Sequence, residues 1–149
     1  YVVALNMFQQ ASREDPQFYM AMMEQSEIYY EMGKLQEALH FAKEAVFYNE
    51  TNLDYQKKLA FLYIDSEKFE DSISCLKKIT EMEPDGFYNW YAYSEVLMLI
   101  GEYEEAVSIL EKAVKIHHRA ELFYQMSNCY FHLKEEKKGK ENINKPELM

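Results

Sequence analysis

The chain repeats itself at a fixed period, and this feature limits its fold more than any other. The segment from Gly33, GKLQEALHFAKEAVFY, is echoed by GEYEEAVSILEKAVKI from Gly101. A middle copy starts at Glu67 and a fourth at Lys134, so the anchors lie 34, 34 and 33 residues apart. A period of this size is typical of arrays in which one small structural unit stacks on copies of itself.

Each copy has the pattern of two helices. Upstream of each anchor, large and small residues recur at i, i+3, i+4 and i+7, the spacing of one helix face, and a second apolar stripe follows the anchor. We therefore predict nine helices and no β-strand: a lone helix near residues 1–13 and helical hairpins near 17–48, 52–82, 86–116 and 120–145.

When the four copies are aligned on their anchors, two positions hold a small residue in every copy. Such residues are expected where the backbones of two helices cross closely. The first helices contribute Ser26, Ala60, Ser94 and Ser127, and the second helices contribute Ala38, Ser72, Ala106 and Gly139.

Turn residues mark the ends of these helices. Gly33 and Gly101 lie just past a first helix, where a residue with positive φ ends it at low cost. Asp15-Pro16 and Glu83-Pro84-Asp85 mark repeat boundaries, since a residue before proline avoids helical geometry. We expect the two aspartates to cap the helices that follow.

Charge and cysteine content exclude several classes of protein. A net charge of −10 argues against a nucleic-acid surface, which needs clustered Lys and Arg. Cys75 and Cys129 form neither a disulfide framework nor a metal pattern, so we predict buried free thiols and favour a cytoplasmic location. No apolar run is long enough to span a membrane. Because the chain begins with Tyr1, we expect it to be a fragment of a longer protein.

The sequence carries no pattern of catalytic chemistry. The four histidines have no partner ligands in register, and no phosphate-binding glycine loop or H-E-x-x-H motif occurs. Acidic pairs such as Glu104-Glu105 are typical of solvated helix faces. We therefore predict that the chain is not an enzyme and has no metal or cofactor.

The third copy resembles the tetratricopeptide repeat (TPR) through Pro84, Trp90, Ser94, Leu97, Gly101, Tyr103, Ala106, Leu110 and Ala113. This resemblance implies an all-α fold, a right-handed α-solenoid of stacked helix-turn-helix hairpins. It covers residues 1–149 as one array. The predicted units are the second helix of a truncated repeat (1–15), repeats 1 to 3 (17–50, 51–84 and 85–118) and a degenerate repeat 4 (119–149), where Pro146 replaces an expected alanine.

The family's arrangement also implies where a partner would bind. First helices line a concave wall, and their residues outside the stacking stripe face the groove. These positions are rich in Tyr and Met with carboxylates between them, as protein-binding surfaces often are. The predicted groove residues are Met23, Glu27, Tyr30, Asp54, Lys57, Phe61, Ile64, Tyr88, Tyr91, Glu95, Met98, Tyr124, Asn128 and Phe131.

Some members of the family clamp the C-terminal carboxylate of chaperone peptides with Lys, Asn and Arg. Only Lys57 and Asn128 match those positions here, and Glu27 and Glu95 replace residues that the clamp requires. The clamp function is therefore not expected.

Two classes of function remain open. In the first, the chain is an adaptor that binds an apolar peptide or helix with basic residues from another protein. In the second, it is an architectural spacer or self-assembly segment of a longer solenoid, and a secretion-chaperone role is a further alternative. The first helix carries Tyr1, Leu5 and Phe8 without a covering helix, so we also predict a homodimer through it.

Overall fold

The structure is a computed structural model that describes residues 15–144, with side chains as far as Lys140. These residues form seven α-helices and no β-strand. The helices are α1 (Pro16–Glu31), α2 (Leu35–Tyr48), α3 (Leu53–Asp65), α4 (Phe69–Met82), α5 (Phe87–Leu99), α6 (Tyr103–Ile116) and α7 (Ala120–Asn144). The all-α prediction is confirmed, and the first three hairpins have their predicted places. The lone helix expected near residues 1–13 lies outside the described residues.

The turn that closes each of the three hairpins has a left-handed residue at its centre. Gly33 and Gly101 adopt φ values of 77° and 80°, as predicted. Glu67 takes the equivalent place with φ 58° although it has a side chain. In the first turn the Lys34 amide donates to the Tyr29 carbonyl at 2.9 Å, and the other turns repeat this bond. These bonds satisfy carbonyls that the helix end would leave unpaired.

The residues that cap the starts of the helices agree only in part with those predicted from the sequence. Asp15 caps α1, because its Oδ1 accepts from the Gln17 amide at 3.0 Å, and Pro16 occupies the first turn. The expectation that Asp85 caps α5 is wrong: the capping residue is Gly86, which has no side chain to accept a bond. The loop is held instead by Asn89, whose Nδ2 donates to the Glu83 carboxylate at 2.8 Å.

The chain divides into two compact units, and the first extends to Ile79. Within it, the small residues lie at the helix crossings as predicted: Ser26 and Ala38 are buried, and the Ser26 hydroxyl donates to the Ala38 carbonyl at 2.6 Å. Beside this crossing the rings of Tyr29 and Phe41 stack with centroids 5.4 Å apart. A small residue at the crossing thus lets large rings fill the space beside it.

The second unit begins at Thr80 and contains α5, α6 and α7. Its core is formed by fully buried side chains, among them Leu97, Leu110 and Leu122. The buried Ser94 hydroxyl is shared between the Tyr91 carbonyl, 2.8 Å away, and Oε1 of Gln125 on α7. This side-chain network links α5 to α7.

The predicted hairpin at 120–145 is wrong, because α7 is one continuous helix of 25 residues. Lys134 stands where Gly33 and Gly101 end the earlier first helices, and Gly139 lies inside α7. The side chains from Lys134 to Lys140 are all exposed, so this segment has no apolar stripe that would fold back. As a result Phe123 and Tyr130 are each 50% exposed, whereas the equivalent Trp90 and Leu97 are 8% and 0% exposed.

Candidate functional site

The first unit has a concavity of about 350 Å³ between α1 and α3. Met23 lies buried in it, and the rings of Tyr30 and Phe61 meet edge to face with centroids 5.6 Å apart. Five predicted groove residues come together here: Met23, Glu27, Tyr30, Lys57 and Phe61. Sequence reasoning missed four others, Ser26, Glu31, Lys58 and Leu62, although Lys58 follows Lys57 directly in the chain.

Ionic contacts organise the rim of this concavity. The Lys58 ammonium pairs with Glu27 and also lies 3.4 Å from the Asp54 carboxylate. The hydrogen bond to Glu27 raises the pKa of Lys58, and the charge of Asp54 adds to the effect. Partial burial and the neighbouring Asp65 carboxylate raise the pKa of Tyr30. The surface therefore presents neutral phenol and aromatic faces beside carboxylates that one lysine partly neutralises.

The second unit has its own concavity, of about 420 Å³, lined from α5, α6 and α7. It gathers five predicted groove residues, namely Tyr91, Glu95, Met98, Tyr124 and Asn128. The negative charge of Glu95 is the main cause that raises the pKa of Tyr91, and a hydrogen bond between the two side chains contributes. Tyr91 is therefore held beside Glu95 as a neutral phenol.

Sequence reasoning missed one wall of the second concavity. The rings of Tyr103 and His132 stack with centroids 4.6 Å apart and planes tilted by 8°. The sequence identifies Tyr103 only as a residue of the repeat motif, and it gives His132 no partner. Their pairing could not be found by spacing alone, because it joins side chains of two different helices, α6 and α7.

Four predicted groove residues lie outside both concavities. Asp54 is exposed and contacts the first concavity only through Lys58, and Ile64 is half-buried on α3. Tyr88 on α5 and Phe131 on α7 are exposed. The spacing rule thus places residues on the correct helices but does not by itself tell which ones share a concavity.

The described residues offer no alternative site with the elements of metal chemistry. Between residues 15 and 140, where side chains are described, no three His, Cys, Asp or Glu side chains lie close enough together to hold a metal ion. Among the seven described helices, none is both long and apolar enough to cross a membrane.

A comparison with protein families decides how the hairpins are classified. The model described as Tetratricopeptide repeat matches residues 1–51 and 58–120. The chain belongs to the tetratricopeptide repeat family. The stacking stripes, the small columns and the positive-φ glycines are therefore features of a TPR array.

Solved structures agree with this TPR fold. The crystal structure of MamA is 21% identical with a TM-score of 0.68, over 80% of this chain and 66% of that one. The first TPR of Spaghetti (RPAP3), bound to the HSP90 peptide SRMEEVD, is 16% identical with a TM-score of 0.64, over 80% and 96%. The Arabidopsis OM64 TPR domain is 15% identical with a TM-score of 0.61, over 78% and 97%.

These similarities show the fold alone, since all the identities are low. The chain spans slightly less than two thirds of the MamA chain that it matches. No curated protein sequence matches it.

Proposed function

We propose that this TPR chain is a non-enzymatic protein-interaction module that binds a partner segment in which a Lys or Arg is flanked by apolar side chains. One observation carries the proposal: the second concavity places the rings of Tyr91 and Tyr124 beside Glu95, and its lining residues include no lysine or arginine. Aromatic rings next to a carboxylate suit a basic side chain with an apolar stem.

The charge of the chain supports a basic partner. A net charge of −10 attracts basic segments and raises their rate of encounter. In the first concavity a ligand cation would have to compete with Lys58 for Glu27, because those two side chains are already paired. The second concavity lacks such a competitor, so we assign the basic anchor of the ligand to Glu95. The two free thiols suit a reducing compartment, and we therefore place this binding in the cytoplasm.

The proposal is tested with the partner recovered from the source cell by pull-down with this chain. Tyr91→Ala combined with Tyr124→Ala should weaken binding by about 2 kcal/mol or more, since buried aromatic contacts dominate interfaces. Its melting should change little, because both rings are partly exposed. Phe47→Ala, which removes an exposed ring on α2, is the matched control and should leave binding intact.

Two further measurements examine the chemistry of the ligand. Glu95→Gln should weaken binding mainly at low salt, because exposed charges are screened beyond about 10 Å at 0.1 M. The acidic peptide SRMEEVD, which is bound to the RPAP3 repeat, should show no binding here. Unchanged partner affinity in a well-folded double variant would overturn the proposal and favour the architectural alternative.

A further inference from the structure

The last helix, α7, has two contrasting faces. Leu122, Gln125 and Cys129 are buried against the rest of the second unit. The opposite face, which we call the outer face of α7, carries four aromatic rings that are each between 50% and 69% exposed. These rings belong to Phe123, Tyr124, Tyr130 and Phe131.

The earlier copies show what kind of element covers such a face. In the first hairpin, the equivalents of Ser127 and Tyr130 are Ser26 and Tyr29, and both contact the second helix. Ser26 donates to the Ala38 carbonyl, and Tyr29 stacks on Phe41. The outer face of α7 therefore has the form that receives another helix, crossing closely at a small residue.

The sequence of the outer face is symmetric about that small residue. Reading outward from Ser127, a tyrosine lies three residues away and a phenylalanine four residues away in both directions: Phe123-Tyr124-Gln-Met-Ser127-Asn-Cys-Tyr130-Phe131. Positions three and four apart share one helix face, so all four rings surround Ser127. A two-fold axis through Ser127 would superpose this pattern on itself, and self-complementarity of this kind is what a symmetric dimer requires.

We propose that the outer face of α7 binds the same face of a second copy of the chain, as an antiparallel helix pair with its two-fold axis at Ser127. Phe123 then packs on Phe131 of the partner subunit and Tyr124 on Tyr130 of the partner subunit. Ser127 meets Ser127 of the partner subunit, where small residues let the helices approach.

The size of this contact sets the expected strength of the dimer. A fully covered aromatic side chain buries about 150–250 Å², so eight half-exposed rings supply roughly 800 Å². Specific interfaces bury about 1,200–2,000 Å² in total. With the residues that flank the rings on each helix added, the contact reaches only the lower part of this range. The dimer is accordingly a concentration-dependent one.

The first experiment is sedimentation of the 149-residue chain over a range of concentrations. The wild-type mass should rise from 17.8 kDa toward twice that value. Phe123→Lys combined with Tyr130→Lys should remain a monomer throughout, while Phe47→Lys, a control at another exposed ring, should dimerise like the wild type. A wild-type monomer up to about 1 mM would overturn the proposal, since weaker association is negligible.

The lysine variant also distinguishes this dimer from other arrangements. Neither Phe123 nor Tyr130 lines either of the two concavities described above, so partner binding should persist in this variant. Because Tyr124 lines the second concavity and would also lie in the dimer contact, the ligand and the dimer compete for it, and partner binding should be as strong or stronger once the dimer is lost. A dimer that survives both substitutions would contradict the proposal and favour the contact through residues 1–13. The exposed positions of both residues mean that the variant should melt like the wild type.

A second experiment tests the symmetry axis. Ser127→Cys should give a disulfide-linked dimer on mild oxidation, because the axis brings the two new thiols together. Ser108→Cys, which places a thiol at an exposed position of α6, is the control and should stay monomeric. The native thiols should not interfere, since Cys75 and Cys129 are buried. Equal cross-linking of both variants would overturn the assignment of the axis.

Discussion

The third and fourth copies of the repeat start alike and end differently. Helices α5 and α7 carry large residues at equivalent positions, Trp90 and Leu97 in one and Phe123 and Tyr130 in the other. The first pair is buried and the second pair is half exposed. The same helical pattern thus yields a core in one place and a surface in the other.

The difference arises from the residues that follow Leu97 and Tyr130, not from the apolar stripe itself. Gly101 turns the chain, and α6 then brings the fully buried Ala106 and Leu110 back against the preceding helix. At the equivalent place, inside α7, the chain has Lys134 followed by exposed and mostly charged side chains, so the helix continues instead. The comparison shows that the stripe holding Trp90 and Leu97, or Phe123 and Tyr130, is buried only when the following segment supplies a turn and a second apolar stripe.

The largest expected effect comes from changing Leu97 and Tyr130, which occupy equivalent positions in the third and fourth copies. Leu97→Ala should lower the free energy of unfolding by about 2–5 kcal/mol, because it leaves a cavity in the core. Tyr130→Ala should change it by no more than about 0.5 kcal/mol. Urea titrations at low protein concentration, where the chain is monomeric, measure both. A large loss at Tyr130 would mean that its ring is covered by the chain's own C-terminal segment.

A second test makes one substitution at two glycines. Gly101→Ala should destabilise the chain by about 1–2 kcal/mol, since a side chain at φ 80° is strained even with open space around it. Gly139→Ala should instead raise helical content, because glycine within a helix costs about 0.5–1 kcal/mol relative to alanine. Circular dichroism and thermal melts report both effects. Destabilisation by Gly139→Ala would be evidence for a closed fourth hairpin.

The turn in the middle copy allows a stabilising change. Glu67 has φ 58° where the other two turns have glycine, and a residue with a side chain is disfavoured there. Glu67→Gly should therefore stabilise the chain by up to about 1 kcal/mol, the strain relieved being partly offset by the flexibility of glycine. The check is a shift in the urea midpoint without a change in slope. A lower midpoint would show that the Glu67 side chain makes a contact worth more than the strain.

The smallest expected effect concerns Cys129, which lies on the buried side of α7. Burial raises the pKa of the Cys129 thiol above its ordinary value of 9.0. As the pH rises, the thiol therefore loses its proton in the unfolded chain before it does so in the folded chain. The free energy of unfolding is unaffected by this group below pH 9 and falls as the pH rises from there toward the folded pKa. Cys129→Val, the residue found at the equivalent Val96, should have little effect at neutral pH and make the alkaline decline shallower. An unchanged decline in the variant would show that this thiol is not shielded.

The sequence predicted three hairpins because three features agreed in them: the stripe, the small column and the turn. Gly33, Gly101 and the crossing of Ser26 with Ala38 all lie where expected. The prediction failed where the features disagreed: Gly139 matches the small position, but Lys134 is not a turn residue and the residues from 135 to 140 after it are charged apart from Gly139. Aligning the repeats alone does not show whether the chain turns and forms a second helix or whether the first helix continues.

The candidate site was less predictable than the fold. Helical spacing found Tyr91, Glu95 and Tyr124, because groove positions follow from the repeat. It missed the stacked pair of Tyr103 and His132, which lie on different helices, and it missed Lys58, whose pair with Glu27 joins two helices. Such contacts are set by tertiary geometry and have no period in the sequence.

Contacts between helices that are near each other in sequence also affect how fast and in what order the chain folds. The buried bond from Ser26 reaches a carbonyl 12 residues ahead, and that from Ser94 reaches Gln125, 31 residues ahead. Closing such short loops costs little chain entropy, and helical proteins with local contacts fold within microseconds to milliseconds. During synthesis, α1 and α2 can therefore pair as soon as α2 has left the ribosome, long before α7 has been translated.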